Sequence, residues 1–209
     1  MSADQDHTEQ LKRMRGRHTP RRPRRRWLRN ALLFLLGMAV PIVLCAGQVV
    51  RCYRVQGDAM EPTLQAGDRV LAAINAYKGG ALPRRGDVVL FAAPPQAQAG
   101  EQILVKRVVG LPGDQIDVRK GYLWRNGRIV DEPYLRELMS FEWTSDPCPA
   151  GHVVVLGDNR NQSEDSHTWT VQAPGSPPQP APFVAVDSLT GRVTLIFWPL
   201  HRVSVVGRG

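Results

Sequence analysis

Three stretches of this 209-residue chain gather residue types that could do chemistry: GDAMEPTLQAGDRV (57–70), VKRVVGLPGDQI (105–116) and GDNRNQSEDS (157–166). In the second, Lys106 interrupts an apolar run. Read as a strand, the run puts Leu104, Lys106 and Val108 on one face, so the amine emerges among aliphatic side chains. Arg107 points to the other face, toward water or a carboxylate. An exposed lysine has a pKa of about 10.4 and accepts no proton near neutrality. Desolvation or positive neighbours can bring it to the roughly 7–8 at which lysine serves as a general base. Lys106 taken alone is better explained as a surface residue on an edge strand, and the third stretch, by composition, as a polar surface turn. A nucleophile is harder to find, because no serine occurs between Ser2 and Ser140. Metal and organic cofactors have no sequence support and none is expected: there is no HExxH, no Gly-rich phosphate loop, no CxxC, and the five histidines form no ligand set.

The elements that must position these stretches follow from charge and hydropathy. The chain carries 27 Lys/Arg against 19 Asp/Glu, a net charge of +8. Ten of those basic residues, against three acids, fall within 1–30, and the remainder is nearly neutral. The basicity therefore belongs to a tail, and a nucleic-acid-binding face, which would set its charge among aromatics on a folded surface, is not expected. Residues 1–29 read as a largely disordered tail. From 30 to 50, twenty-one residues carry no charge (NALLFLLGMAVPIVLCAGQVV). As a helix rising about 1.5 Å per residue they span about 30 Å, the thickness of a bilayer's hydrocarbon core. Arg24, Arg25, Arg26 and Arg29 precede the span, which predicts a cytoplasmic N-terminus and 51–209 across the plasma membrane. The tail's arginines would meet anionic lipid head groups, each contributing about 1 kcal/mol. No clean A-x-A cleavage site follows the span, so an uncleaved single-pass anchor is expected rather than a signal peptide.

Beyond the span the pattern is mainly β. Runs rich in Val, Ile and Leu recur at 69–74, 87–91, 103–109, 115–118, 153–156 and 192–198. They are punctuated by Ala66-Gly67-Asp68, Arg85-Gly86-Asp87, Pro112-Gly113-Asp114 and Leu156-Gly157-Asp158. Asn126-Gly127 between 122–124 and 128–130 predicts a tight hairpin. A short turn is expected near 132–139. The Pro-rich segments 92–100 and 172–182 read as insertions unsuited to strand interiors. Among three cysteines, a Cys52–Cys148 disulfide is left open by the sequence.

Taken in order behind an apolar span, the three stretches resemble the type I signal peptidases, membrane-anchored proteases that use a Ser/Lys dyad. RRGDVVLF (84–91) and GRVTLIFWPL (191–200) extend the resemblance across 30–206. It implies a mainly β, signal-peptidase-like catalytic domain behind one transmembrane helix, acting on the signal peptides of exported preproteins. It makes Lys106 the general base, Ser163 the hydroxyl that holds the lysine amine, and Asp165 the carboxylate that orders the surrounding polar groups. An arginine usually stands two residues after that aspartate; here the residue is His167. Asp158 and Arg160 are expected to shape a turn. Substrate would lie as an extended strand beside residues 57–60 and the Lys106 strand, with Asp58, Met60, Pro62 and Val105 as candidate contacts.

At one position the chain departs from this pattern. The family's nucleophile is the serine of S-M-x-P-T, and this chain reads Ala59-Met60-Glu61-Pro62-Thr63. Alanine has no atom that can attack a carbonyl, so the acyl-enzyme route is closed as written. The backbone N–H of residue 59 could still face a developing oxyanion. Gly57, where some relatives carry a second hydroxyl donor, offers no side chain. Two accounts fit: an engineered knock-out of an ordinary signal peptidase, made to trap substrate or prevent self-cleavage, or a natural non-catalytic relative that binds signal peptides without cutting them.

Overall fold

The structure is a computed structural model that describes residues 50–97 and 102–208, together with Asn30, Leu33 and Phe34 of the segment before them. The predicted tail and most of the predicted span lie outside the described residues. No helix among the described residues is long and apolar enough to cross a membrane. The chain divides into two units, Met1–Leu44 and Cys45–Gly209, and all the strands of the described residues belong to the second.

In chain order the strands are β1 (Val50–Arg54), β2 (Arg69–Ala73), β3 (Val88–Ala92), β4 (Ile103–Gly110), β5 (Ile116–Arg119), β6 (Tyr122–Arg125), β7 (Arg128–Ile129), β8 (Trp143–Thr144), β9 (His152–Leu156), β10 (Thr170–Val171), β11 (Gln179–Pro180), β12 (Phe183–Ala185), β13 (Leu189–Trp198) and β14 (Ser204–Val205). The mainly β expectation holds, and the six predicted runs correspond to β2, β3, β4, β5, β9 and β13. Eight strands form one sheet in the order β1-β2-β13-β3-β4-β9-β12, with β14 beside β13. Every pairing in it is antiparallel. A smaller sheet runs β7-β6-β5-β8.

The alternation of side chains explains the layers. In β3, Val89 and Phe91 enter one core cluster while Val88 and Leu90 enter another on the opposite face. Both faces of the central strand are thus covered, which is why its sequence is a continuous apolar run. In β9, Val153 and Val155 face the first cluster, whereas Val154 and Leu156 turn to a third, shared with Ile116, Val118 and Leu123 of the small sheet. Burying each such side chain contributes about 1.5–3 kcal/mol.

The Asn126-Gly127 hairpin forms as expected between β6 and β7, with φ of 52° and 75°. Two expectations are corrected. Val50, taken as the end of the apolar span, is the first residue of β1 and pairs with Ala73. The segment 172–182 is not all loop, since Gln179–Pro180 pairs with Thr170–Val171 in a two-stranded ribbon. Pro180 is tolerated because such an edge position needs no N–H. At 132–139 a turn forms, closed by Leu135 N–H to Glu132 O at 3.1 Å. Cys52 is exposed, Cys148 is buried in the third cluster, and neither is bridged.

Candidate active site

The site is built where one strand outruns its neighbour. β4 pairs with β3 along Ile103–Arg107, but with β9 only from Arg107 onward. Residues 103–106 therefore keep one edge open. β9 ends at Leu156, opposite Arg107, and the chain turns at once into Gly157-Asp158-Asn159-Arg160. That turn returns Ser163 to the last residue of the open edge: the Lys106 amine lies 2.6 Å from Ser163 Oγ.

Lys106 is only 3% exposed, and among the described residues Ser163 is its one hydrogen-bonding partner, with no carboxylate close enough for an ion pair. Leu104 and Val108, on the same face, pack with the first core cluster. Burial pushes the lysine below its ordinary value, while the negative charges of Asp165 and Glu164 pull the other way. A neutral hydroxyl can donate to the free amine or accept from the ammonium, so it fixes the amine in place without fixing its charge.

Asp165 is fully buried. One carboxylate oxygen accepts the Gly157 N–H at 2.8 Å; the other lies 2.7 Å from His167 Nδ1. It thereby closes the turn that carries Ser163. Gly157 is packed so tightly that a Cβ there would overlap both the Ser163 hydroxyl and the Ala59 carbonyl oxygen. The same carbonyl accepts the Asn159 N–H at 3.0 Å. Ala59 is thus held against the turn that positions Lys106. Among the described residues the N–H groups of Asp58, Ala59 and Met60 donate no hydrogen bond.

Arg107 and Asp158 do more than the sequence suggests. Arg107 finds a carboxylate: Nε and Nη2 donate to Asp158 at 2.7 and 2.6 Å, with both side chains buried. Asp158 also accepts the Thr63 hydroxyl at 2.5 Å, tying the first stretch to the third. Arg160 forks onto Glu132 at 2.8 and 2.6 Å and donates to Gly157 O at 3.0 Å, tying the turn to the segment after β7. Asp158 and Arg160 shape the turn, as expected, by long-range pairs that no local pattern announces. Glu132, and Tyr134 beneath the Arg107 guanidinium at 3.9 Å, carry no local sequence signal for the same reason.

A groove of about 500 Å³ runs along the open edge to this cluster. Val105, Lys106, Ala59 and Met60 line it; Asp58 and Pro62 do not. Its opposite wall is β1, with Cys52, Tyr53 and Arg54, a strand the sequence did not reveal because VRCYR has no clear alternation and follows an apolar span. Met60, buried at 3% exposure, belongs to the floor, where it joins the second core cluster.

Comparison with known proteins places the chain in a family. The signal peptidase, peptidase S26, family matches residues 24–198. Signal peptidase I of Leptolyngbya laminosa is 32% identical over 177 residues, covering 82% of this chain and 81% of its own. The probable signal peptidase I-2 of a Synechocystis strain is 33% identical over 174 residues, covering 81% and 74%. A crystal structure of a signal peptidase I from Enterococcus faecalis, 29% identical, superposes with a TM-score of 0.43, covering 54% of this chain and 97% of that one. On the family match and the identity to these relatives, the chain belongs to the signal peptidase family, peptidase S26.

Proposed function

We propose that this chain is a membrane-anchored type I signal peptidase in which one oxygen is missing: the Ser/Lys site is assembled, but Ala59 occupies the place of the nucleophile. The observation that carries the reading is the buried Lys106 amine, hydrogen-bonded to Ser163 at 2.6 Å and, among the described residues, unpaired with a carboxylate. A buried amine without a counter-ion has little structural use, and it is what a general base at neutral pH requires. The preprotein would lie extended along the open edge of β4, pairing with the free backbone of 103–106, its side chains entering the groove. With a serine at position 59, the hydroxyl proton would pass to Lys106 Nζ while Oγ bonds to the scissile carbonyl carbon. The oxyanion would face the unpaired N–H of residue 59. Collapse would expel the mature protein's amine, which takes the proton back from Lys106, and water would then release the acyl group by the same route.

With Ala59 the first bond cannot form, so the chain binds preproteins and does not cut them. The apolar run that begins at Asn30 and ends before Val50 would anchor it, with residues 1–29 cytoplasmic among anionic lipid heads and the β domain from Val50 onward on the far side. The alternative is a natural signal-peptide-binding pseudopeptidase. One experiment separates the two: preprotein cleavage in detergent or lipid by the chain and by its Ala59→Ser variant. Cleavage by the variant alone, lowered about 10³-fold by adding Lys106→Ala, supports a site lacking only its nucleophile. An inert Ala59→Ser variant that still binds preprotein selects the pseudopeptidase. Cleavage by the unaltered chain overturns both.

A further inference from the structure

The groove along β4 leads to an amine. Lys106 belongs to the groove wall, and its one hydrogen-bonding partner among the described residues is the neutral Ser163 hydroxyl at 2.6 Å. On an exposed lysine only about one part in a thousand carries a free electron pair near neutrality. Burial holds Lys106 below its ordinary value and enlarges that share. A free amine is a nucleophile as well as a base, and a lysine desolvated in an apolar pocket is the kind that forms imines with carbonyl compounds. The surroundings fit: Val55, Met60, Leu90, Leu104 and Val105 line the groove, with the Cys52 thiol on the β1 side.

In a Ser/Lys site it is the serine that keeps the lysine from attacking. A general base stands about 2.6–3.2 Å from the oxygen it deprotonates, and that oxygen comes within about 3–3.5 Å of the carbonyl carbon before it attacks. The hydroxyl therefore meets the carbonyl ahead of the amine. Ala59 ends at Cβ and offers no such oxygen. Its carbonyl oxygen and the Ser163 hydroxyl both lie against the small Gly157, so residue 59 and the anchor of the lysine share one corner. Among the described residues the N–H groups of Asp58, Ala59 and Met60 donate no hydrogen bond, which leaves donors for a carbonyl oxygen drawn into that corner.

We propose that Lys106 is a site of covalent capture for peptide aldehydes: an extended peptide on the open edge of β4 brings its terminal carbonyl to Nζ and is held there as an imine. This rests on reading that edge as the peptide site. The nitrogen electron pair bonds to the carbonyl carbon while the C=O π pair moves to oxygen. One amine proton passes to that oxygen, directly or through the Ser163 hydroxyl, and gives a neutral carbinolamine. The nitrogen then gives up its second proton, the oxygen leaves with both as water, and a C=N bond replaces the C–O bond. No oxidant or reductant enters. An amide carbonyl is less electrophilic than an aldehyde, so preproteins are bound and aldehydes captured.

Cyanoborohydride reduces an imine to a stable secondary amine, which peptide mass mapping then locates. The full chain in detergent micelles is treated near neutral pH with this reductant and acetyl-Ala-Ala-Ala-alaninal. The chain has four lysines, Lys12, Lys78, Lys106 and Lys120, of which Lys78 and Lys120 are exposed and serve as internal references. A hemithioacetal on Cys52 is not reduced and leaves no mark. The expected result is labelling of Lys106 about tenfold or more above Lys78 and Lys120. In Ala59→Ser that labelling falls, because the restored hydroxyl takes the carbonyl as a hemiacetal that the reagent also leaves alone. Lys106 labelled no faster than Lys78, or equally in the chain and in Ala59→Ser, overturns the proposal. Propanal, too short to pair with a strand, keeps the proposal and the reading beneath it apart. Selective labelling by propanal that the peptide aldehyde does not surpass overturns the peptide site and leaves a reactive amine. Preprotein that binds while neither aldehyde labels Lys106 overturns the capture and leaves the peptide site standing.

Discussion

Lys106 and Arg107 are neighbours on β4, both buried, and the two faces of that strand treat their charges in opposite ways. Arg107 has a bidentate carboxylate, the carbonyls of Gly86 and Gly207 at 2.9 and 3.2 Å, the Thr63 hydroxyl at 3.3 Å and an aromatic face. Nearly every donor of the guanidinium is used. Lys106 has one neutral hydroxyl. A buried cation costs several kcal/mol unless it is paired and hydrogen-bonded. On one face that cost is met in full, and the cation locks three stretches of sequence together. On the other it is left standing, and the consequence is an amine driven toward its neutral, proton-accepting form. The rigid face holds the unpaired amine in place.

The sharpest way to break this comparison is to take the partner from the satisfied side. Arg107→Met leaves Asp158 ionised, buried and short of its guanidinium. We expect about 3–5 kcal/mol of lost stability in urea unfolding. Removing both members, with Arg107→Met and Asp158→Leu together, should cost less than either change alone, because no unpaired charge is left behind. A double variant as unstable as the sum of the singles would mean that the pair adds nothing as a pair. Arg107→Lys should fall near the single loss, since an ammonium cannot reproduce the fork.

A smaller effect is expected where the two faces meet. Gly157→Ala inserts a methyl that overlaps the Ser163 hydroxyl and the Ala59 carbonyl. Overpacking of this kind typically costs about 1–3 kcal/mol, measurable as a fall in Tm. The displaced atoms are those that hold Lys106 and residue 59. In the Ala59→Ser background, cleavage should therefore fall by more than the loss of stability explains. Equal activity in Gly157→Ala and its parent would show that the close packing here is structural only.

How far the site could be read from sequence is clearest in the dipeptide Gly-Asp, which occurs five times. At Gly67-Asp68, Gly86-Asp87 and Gly113-Asp114 one device recurs. The glycine takes φ of 93°, 83° or 85°, and the aspartate accepts the N–H three residues back, each time at 2.9 Å. Each carboxylate is then capped by an arginine, Arg202, Arg208 or Arg85. These are turns, and their local sequence was enough to place them. The other two, Gly57-Asp58 and Gly157-Asp158, flank the site and look the same locally. What separates Asp158 is a partner 51 residues away, and what makes Gly157 special is an oxygen of Ala59. The face of β4 that holds Lys106 was legible because alternation is a local rule. The β1 wall of the groove, the Glu132–Arg160 tie and the stack of Phe141 on His167 are long-range pairings that no window of sequence contains.

The mildest test works on Lys106 itself and has a sign opposite to most buried substitutions. The folded state holds this amine below its ordinary value of 10.5, chiefly by burial. Between the folded value and 10.5 the unfolded chain therefore binds more protons than the native one, and stability rises with pH. The penalty is complete below the folded value, shrinks through that window and vanishes above 10.5. Each unit of depression is worth about 1.4 kcal/mol. Lys106→Met keeps most of the aliphatic bulk and removes the charge, at the expense of the Ser163 hydrogen bond, worth about 1 kcal/mol. We expect Lys106→Met to melt higher than the parent near neutral pH, with the difference narrowing and then reversing as pH approaches 10.5. Thermal melts across pH 6–10 check this. A variant that melts lower at every pH would mean that the lysine is stabilising where it stands, and the contrast between the two faces of β4 would fail.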